Sequence, residues 1–204
     1  KTNTYQGTGG VSMGSLFGRA LFATKFQDVN ILLSDLVNSD SRIMWDRDPL
    51  TRVEKVAPWL TLDQDPYAVV AEGRIKWIVD GYTMSNDYPY SSRVSLSDAT
   101  ADSISTRTLP AQLQPNDQIN YVRNSVKAVV DAYDGTVTLY AWDPSDPVLQ
   151  TWMKAFPGVV QPVSQMPQSI EAHVRYPQDQ FKVQRTIMSR YHVTDASTFY
   201  NGTD

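Results

Sequence analysis

At 204 residues and 41% hydrophobic content, the chain is long enough to bury one sizeable core, which excludes a disordered segment. Its net charge of −4 argues against a nucleic-acid partner, because phosphate contacts need a concentrated basic surface. The absence of cysteine rules out disulfides, thiolate metal sites and a cysteine nucleophile, and no apolar run approaches the about 18 residues that cross a bilayer.

The chain opens at Lys1 in a glycine-rich stretch, Gln6-Gly-Thr-Gly-Gly10, and ends in Asn201-Gly-Thr-Asp204, which reads as a piece excised from something longer. Residues 15–37 form the longest candidate helix, with Leu16, Phe17, Leu21, Phe22 and Phe26 surrounding its axis instead of forming one stripe. Two readings follow. The first is a central core helix; the second is a surface for a partner or a membrane, with a homo-oligomer through the Leu16–Phe26 region.

Asp48-Pro49 predicts a capped helix that stops at Pro58, and Asp146-Pro147 predicts a second one that ends at Pro157-Gly158. Each follows a strand-like segment closing in Trp-Asp. Between them, residues 67–71 and 74–82 predict a hairpin around Glu72-Gly73. A second hairpin turns at Asp134-Gly135, which pairs Ala132 with Val137, Val130 with Leu139 and Ala128 with Ala141 on an apolar face. The opposite face pairs Asp131 with Thr138, Val129 with Tyr140 and Lys127 with Trp142, a mixed surface suited to half-exposure. Residues 83–117 form a long excursion that draws notice to Tyr82, Asn86, Tyr88 and Tyr90 as binding candidates. Near the end, residues 178–191 predict a surface helix with Phe181, Val183, Ile187, Met188 and Tyr191 on its inner side. Lys182, Arg185 and Arg190 lie on its solvated side, with Arg190 and His192 at the negative end of its dipole.

The two hairpins carry related blocks. Ile75-Lys-Trp-Ile-Val-Asp-Gly-Tyr82 and Val126-Lys-Ala-Val-Val-Asp-Ala-Tyr133 share Lys, Val, Asp and Tyr at equivalent positions, so they read as sister strands of one sheet. The implied fold is α+β: a mainly antiparallel sheet built from two related hairpins, packed with several helices, in a single domain over 1–204.

Catalytic signatures are sparse. No serine-hydrolase elbow, phosphate loop, zinc-protease motif or dinucleotide fingerprint occurs, and His173 and His192 provide little material for a triad or a metal site. We therefore expect no cofactor and no metal. Asp63 and Asp65 would give calcium too few oxygens and read as turn and cap residues. Asp80 and Asp131 are the candidate acid and base, with Lys76, Lys127, Tyr82 and Tyr133 beside them as binding residues, against a solvated sheet face held by Lys–Asp contacts.

Several segments resemble those of a bacterial family catalogued as uncharacterised protein family number 0182. They are Tyr-Gln-Gly-Thr-Gly-Gly-Val from Tyr5, Val-Glu-Lys-Val-Ala-Pro-Trp-Leu-Thr-Leu-Asp from Val53, and Trp-Ile-Val-Asp-Gly-Tyr-Thr from Trp77. The run from Asn120 to Val137, Asp-Pro-Ser-Asp-Pro from Asp143 and Phe-Lys-Val-Gln-Arg from Phe181 extend the likeness, which is weakest over 94–116. The resemblance implies a large polytopic protein embedded in the cell membrane, of which this piece is extracytoplasmic. It carries no activity and no catalytic residues. The expectation is a non-catalytic extracytoplasmic domain for assembly or ligand binding in the cell envelope. The alternative is an envelope hydrolase or transferase using paired carboxylates.

Overall fold

The computed structural model describes residues 5–101, 118–189 and 191–201. In chain order these form β1 (Val11–Ser12), α1 (Leu16–Phe26), α2 (Asn30–Leu33), β2 (Arg42–Ile43), α3 (Pro49–Val56), β3 (Thr61–Leu62), β4 (Tyr67–Ala71) and β5 (Arg74–Ser85). There follow β6 (Val94–Ser95), α4 (Leu96–Ala99), β7 (Gln118–Ile119), β8 (Tyr121–Asp131), β9 (Val137–Ala141) and α5 (Pro147–Ala155). The last elements are β10 (Val160–Pro162), α6 (Gln168–Glu171), α7 (Gln178–Ser189) and α8 (Ala196–Asn201).

The central sheet runs β10-β9-β8-β5-β3, with β4 also paired to β5; only the β10–β9 pairing is parallel. This is the α+β fold expected, with the two related hairpins at its centre. The β4–β5 turn has positive φ at both Glu72 (54°) and Gly73 (72°), the geometry of a tight two-residue hairpin turn.

The β8–β9 hairpin departs from expectation by two residues: Val130 pairs with Val137, Ala128 with Leu139 and Val126 with Ala141. Asp131 is the reason. Its carboxylate accepts the backbone N–H groups of Tyr133 (2.8 Å) and Asp134 (3.0 Å), and its carbonyl accepts that of Gly135 (2.7 Å), so the turn starts earlier than a two-residue loop would. A shift of two leaves every side chain on its predicted face.

Both faces of the sheet are covered. Val79, Val126, Ala128, Val130 and Leu139 pack under Leu50 and Val53 of α3 and Leu149 of α5. Both helices start as predicted, with Asp48 capping Thr51 and Asp146 capping Val148 and Leu149, and the stacked rings of Trp59 and Trp152, 5.3 Å apart, join their far ends. On the other face Ile78, Val129 and Tyr140 pack against Tyr67, Val69, Met166 and Ile170. That face is buried, not half-exposed, and Asp80, Lys127 and Asp131 of the repeat are buried with it, while Lys76 is half-buried.

Two helices differ from expectation. The run 15–37 breaks at Gln27, whose φ of 53° ends α1, and neither α1 nor α2 buries a single residue. Leu16, Phe17, Leu21, Leu33 and Leu36 stand exposed, so this is no core helix within the chain; Phe22 reaches back, its ring 5.7 Å from Trp45, and Lys25 Nζ lies 4.3 Å from the Trp45 ring. Helix α7 is rotated relative to its apolar stripe: Asp179, Lys182 and Val183 are buried, whereas Phe181 and Met188 are exposed. Its first turn is drawn inward because the Asp179 N–H donates to Asp63 at 2.9 Å. Arg190 lies outside the described residues, as does the 102–117 part of the excursion. The excursion's start is ordinary strand, since β5 continues through Thr83 to Ser85.

Candidate functional site

Each copy of the repeat carries Lys-x-x-x-Asp, and the copies lie antiparallel as neighbours, so Lys76 faces Asp131 and Asp80 faces Lys127. The candidate carboxylates do not meet. They sit four residues apart in register, roughly 13 Å at strand rise, outside the about 5 to 9.5 Å of glycosidase pairs. Asp131 accepts from Lys76 Nζ at 2.5 Å and Arg74 at 3.1 Å as well as from the two turn amides. Burial works against its ionised form, but these donors prevail and hold its carboxyl below the usual range. Asp80 is the opposite case. Burial outweighs its ion pair with Lys127, so its carboxyl is raised above the ordinary value.

Tyr82 shares the Asp80 face but is turned to Asp63, donating its hydroxyl to Oδ2 at 2.5 Å. Burial first, then the charge of Asp63, pushes that phenol far upward, so it stays a donor. Asp63 and Asp65 thus belong to a turn and not to an ion site: the Asp65 N–H donates to Asp63 at 3.0 Å. Among the described residues no three histidine or carboxylate groups gather where a metal would sit.

Tyr133 lies in the β8–β9 turn beneath the glycine-rich opening. The Tyr5 hydroxyl donates to Asp134 Oδ1 (3.0 Å), the Gln6 N–H to the Tyr133 hydroxyl (3.1 Å), and Arg42 donates to the carbonyls of Thr8, Gly9 and Gly10. The glycines are required by proximity: a Cβ on Gly9 would overlap the Asp134 carbonyl. Gly9→Ala is expected to undock this strap at a cost of about 1–3 kcal/mol, read as a lower melting temperature and faster proteolysis before residue 15. Unchanged melting and proteolysis would mean the strap is not held by this approach.

Tyr88 and Tyr90 lie at the far end of β5. Tyr88 stacks on Tyr121 at 5.8 Å and, with Tyr121, Val183, Ile187 and Tyr191, lines a groove of about 520 Å³. Tyr90 is fully exposed with φ 58°. Asn86 gives its carbonyl to Arg93.

Three features escape sequence reading. Asp146, beyond its cap role, is fully buried and accepts from the hydroxyls of Thr83 (2.5 Å), Ser125 (2.6 Å) and Tyr121 (2.5 Å) and from the N–H groups of Val148 and Leu149. A bulge at Ser125 shifts the β5–β8 register between Gly81 and Tyr82, so that Asn124 faces Tyr82 on the same side of the sheet as Lys127. Finally, a cleft of about 630 Å³ opens over Lys127 and Asn124, walled by Trp142, Arg175 and Tyr176. Lys127 Nζ donates to the Arg175 carbonyl at 3.3 Å and sits 5.3 Å from the Trp142 ring. Asn124 Nδ2 donates to the Gly81 carbonyl at 3.3 Å, while its Oδ1 is buried with no partner. Of this lining, Lys127 is the residue that the sequence singles out for binding; bulges have no sequence signature here.

Fold and site together define an α+β domain whose repeated lysines and aspartates form ion pairs across two strands and whose open features are clefts and exposed apolar helices. Compared with known sequences, the whole chain, residues 1–204, matches an uncharacterised protein family, UPF0182, and the chain belongs to that family. A UPF0182 protein of Frankia casuarinae is 58% identical over 203 residues, covering 100% of this chain and 20% of the relative. Relatives in Kineococcus radiotolerans and Thermobifida fusca are 55% and 52% identical over 100% and 99% of the chain, again 20% of their own length. The chain therefore spans about one fifth of the curated relatives it matches. No solved structure matches it.

Proposed function

We propose that the chain is a non-catalytic, extracytoplasmic domain of a large bacterial membrane protein, and that its role is assembly: α1 and α2 dock against the remaining part of the same polypeptide. The observation that carries this reading is the exposure of Leu16, Phe17 and Leu21 on α1 and Leu33 on α2, with Leu36 just beyond, where neither helix has a buried residue. An apolar surface of this kind is normally covered. The occupant is the remainder of the polypeptide because the matched relatives are about five times as long as the chain. The membrane setting rests on the family resemblance. The repeat's carboxylates favour a structural role over the hydrolase alternative, since each is committed to a lysine across the strand pair.

The chain has no cysteine, which makes the test clean. Leu21→Cys in the isolated chain is expected to react quickly with a maleimide and to be protected in the full-length protein on a cysteine-free background. Equal labelling in both sinks the proposal. Protection in the isolated chain, with a doubled mass by light scattering, transfers the surface to self-association of this domain.

A further inference from the structure

We infer that the cleft over Lys127 and Asn124 binds a neutral saccharide unit, with Asn124 Oδ1 as the acceptor for a ligand hydroxyl and the Trp142 ring as the platform for its C–H face. The inference goes beyond the assembly reading and does not depend on α1 or α2.

The first argument is the orphaned acceptor. Asn124 lines the cleft at 8% exposure and its amide donates to the Gly81 carbonyl and lies against Asp80, while its Oδ1 is buried without a partner. A buried acceptor left unmade costs free energy that a ligand donor returns. The bulge at Ser125 places it there, against the strand alternation that would otherwise turn residue 124 to the opposite face.

The second argument is charge. Lys127 is answered by Asp80, Arg123 by Asp143 at 3.1 Å, and the remaining lining charges, Arg175 and Glu171, are of opposite sign. With no surplus of either sign, a charged ligand would be desolvated without compensation. A phosphate, moreover, would bring a negative charge for which the lining holds no surplus of cations. A purely aliphatic ligand would leave the acceptor orphaned. What satisfies both the floor and the wall is an uncharged molecule carrying hydroxyl donors on one edge and an apolar face on another, and a pyranose has that form. The cleft's volume of about 630 Å³ is within the usual range for small-molecule sites.

The test is a titration of the 204-residue chain, and of the full-length protein free of sugar-based detergent, with maltotriose, N,N′-diacetylchitobiose and inorganic phosphate. It is read by tryptophan fluorescence and saturation-transfer NMR. At least one saccharide is expected to bind. Asn124→Leu should weaken that binding about tenfold, and Trp142→Phe should abolish the fluorescence change. Tyr88→Ala, in the other groove, should leave binding intact. Thermal melting checks that each variant folds; should Asn124→Leu fail to fold, Arg175→Gln and Trp142→Phe test the same wall. Binding of phosphate alone, saccharide binding unchanged in the cleft variants, or no binding up to the solubility limit would each overturn the inference.

Discussion

Lys127→Met is expected to lower the unfolding free energy by about 3–5 kcal/mol, because it leaves the Asp80 carboxylate buried without its cation. The loss should depend on pH in a defined direction. Asp80 already has a folded pKa above its ordinary value, so its ionisation opposes folding: stability from this group is greatest below its unfolded pKa of about 3.9 and declines as pH rises through the folded one. Removing Lys127 pushes the folded value higher still. The gap between variant and parent in urea denaturation should therefore be wider at pH 8 than at pH 5. Asp80→Leu with Lys127→Met should recover most of the loss, since a well-packed apolar pair replaces a buried ion pair at little cost. A gap below about 1 kcal/mol, or one identical at both pH values, would show the pair to be solvated.

The second large effect belongs to Asp146. Asp146→Ala removes an N-cap and takes the shared acceptor from the buried hydroxyls of Thr83 and Ser125, leaving them only each other at 2.9 Å, at an expected cost of about 3–4 kcal/mol. Burial disfavours the Asp146 charge, but Ser125, Thr83, Tyr121 and the Val148 N–H more than offset it, and the carboxyl is held below its usual value. The sign is the reverse of Asp80. A depressed folded pKa gives stability that is present above the unfolded pKa, about 3.9, and lost as pH falls through the folded one. The parent should lose stability on acidification below about pH 4 more steeply than Asp146→Asn does. The Tyr121 phenol, pushed up to about 12 by burial and by its bond to Asp146, remains a donor throughout this range. Parallel acid profiles for the parent and the Asn variant would refute the assignment.

The repeat, the two Asp-Pro caps and the Glu72-Gly73 turn were legible because each is a local property of the sequence: strand alternation, cap chemistry and turn geometry act over a few residues. Burial of the Lys–Asp face was not. Alternation says which side chains share a face, but what covers it here is the short helix α6, with Ile170 as its one buried residue, and the first turn of α7, which turns Asp179 inward and not the centre of its apolar stripe. The register of β8–β9 shifted because Asp131 captured the turn amides that an Asp-Gly pair would have left to the loop. Helix α1 escaped for a different reason: a helix apolar on all sides announces that it needs a cover, not whether the cover lies in the same 204 residues. In the candidate site, Lys127 was legible as a conspicuous charge on a strand, whereas Asn124 became visible only through the bulge that reorients it.

The pairing of β5 with β8 has a further consequence. Lys-x-x-x-Asp run antiparallel against itself is self-complementary: exchanging the two strands end for end returns lysine onto aspartate at both places. The centre of the sheet thus obeys the rule of an isologous contact, in which residue i meets j and j meets i, about a pseudo-dyad between Ile78 and Val129. A strand that can pair with its own copy is a hazard for swapping between chains. The Ser125 bulge, present in one strand and absent from the other, breaks that dyad beyond Gly81.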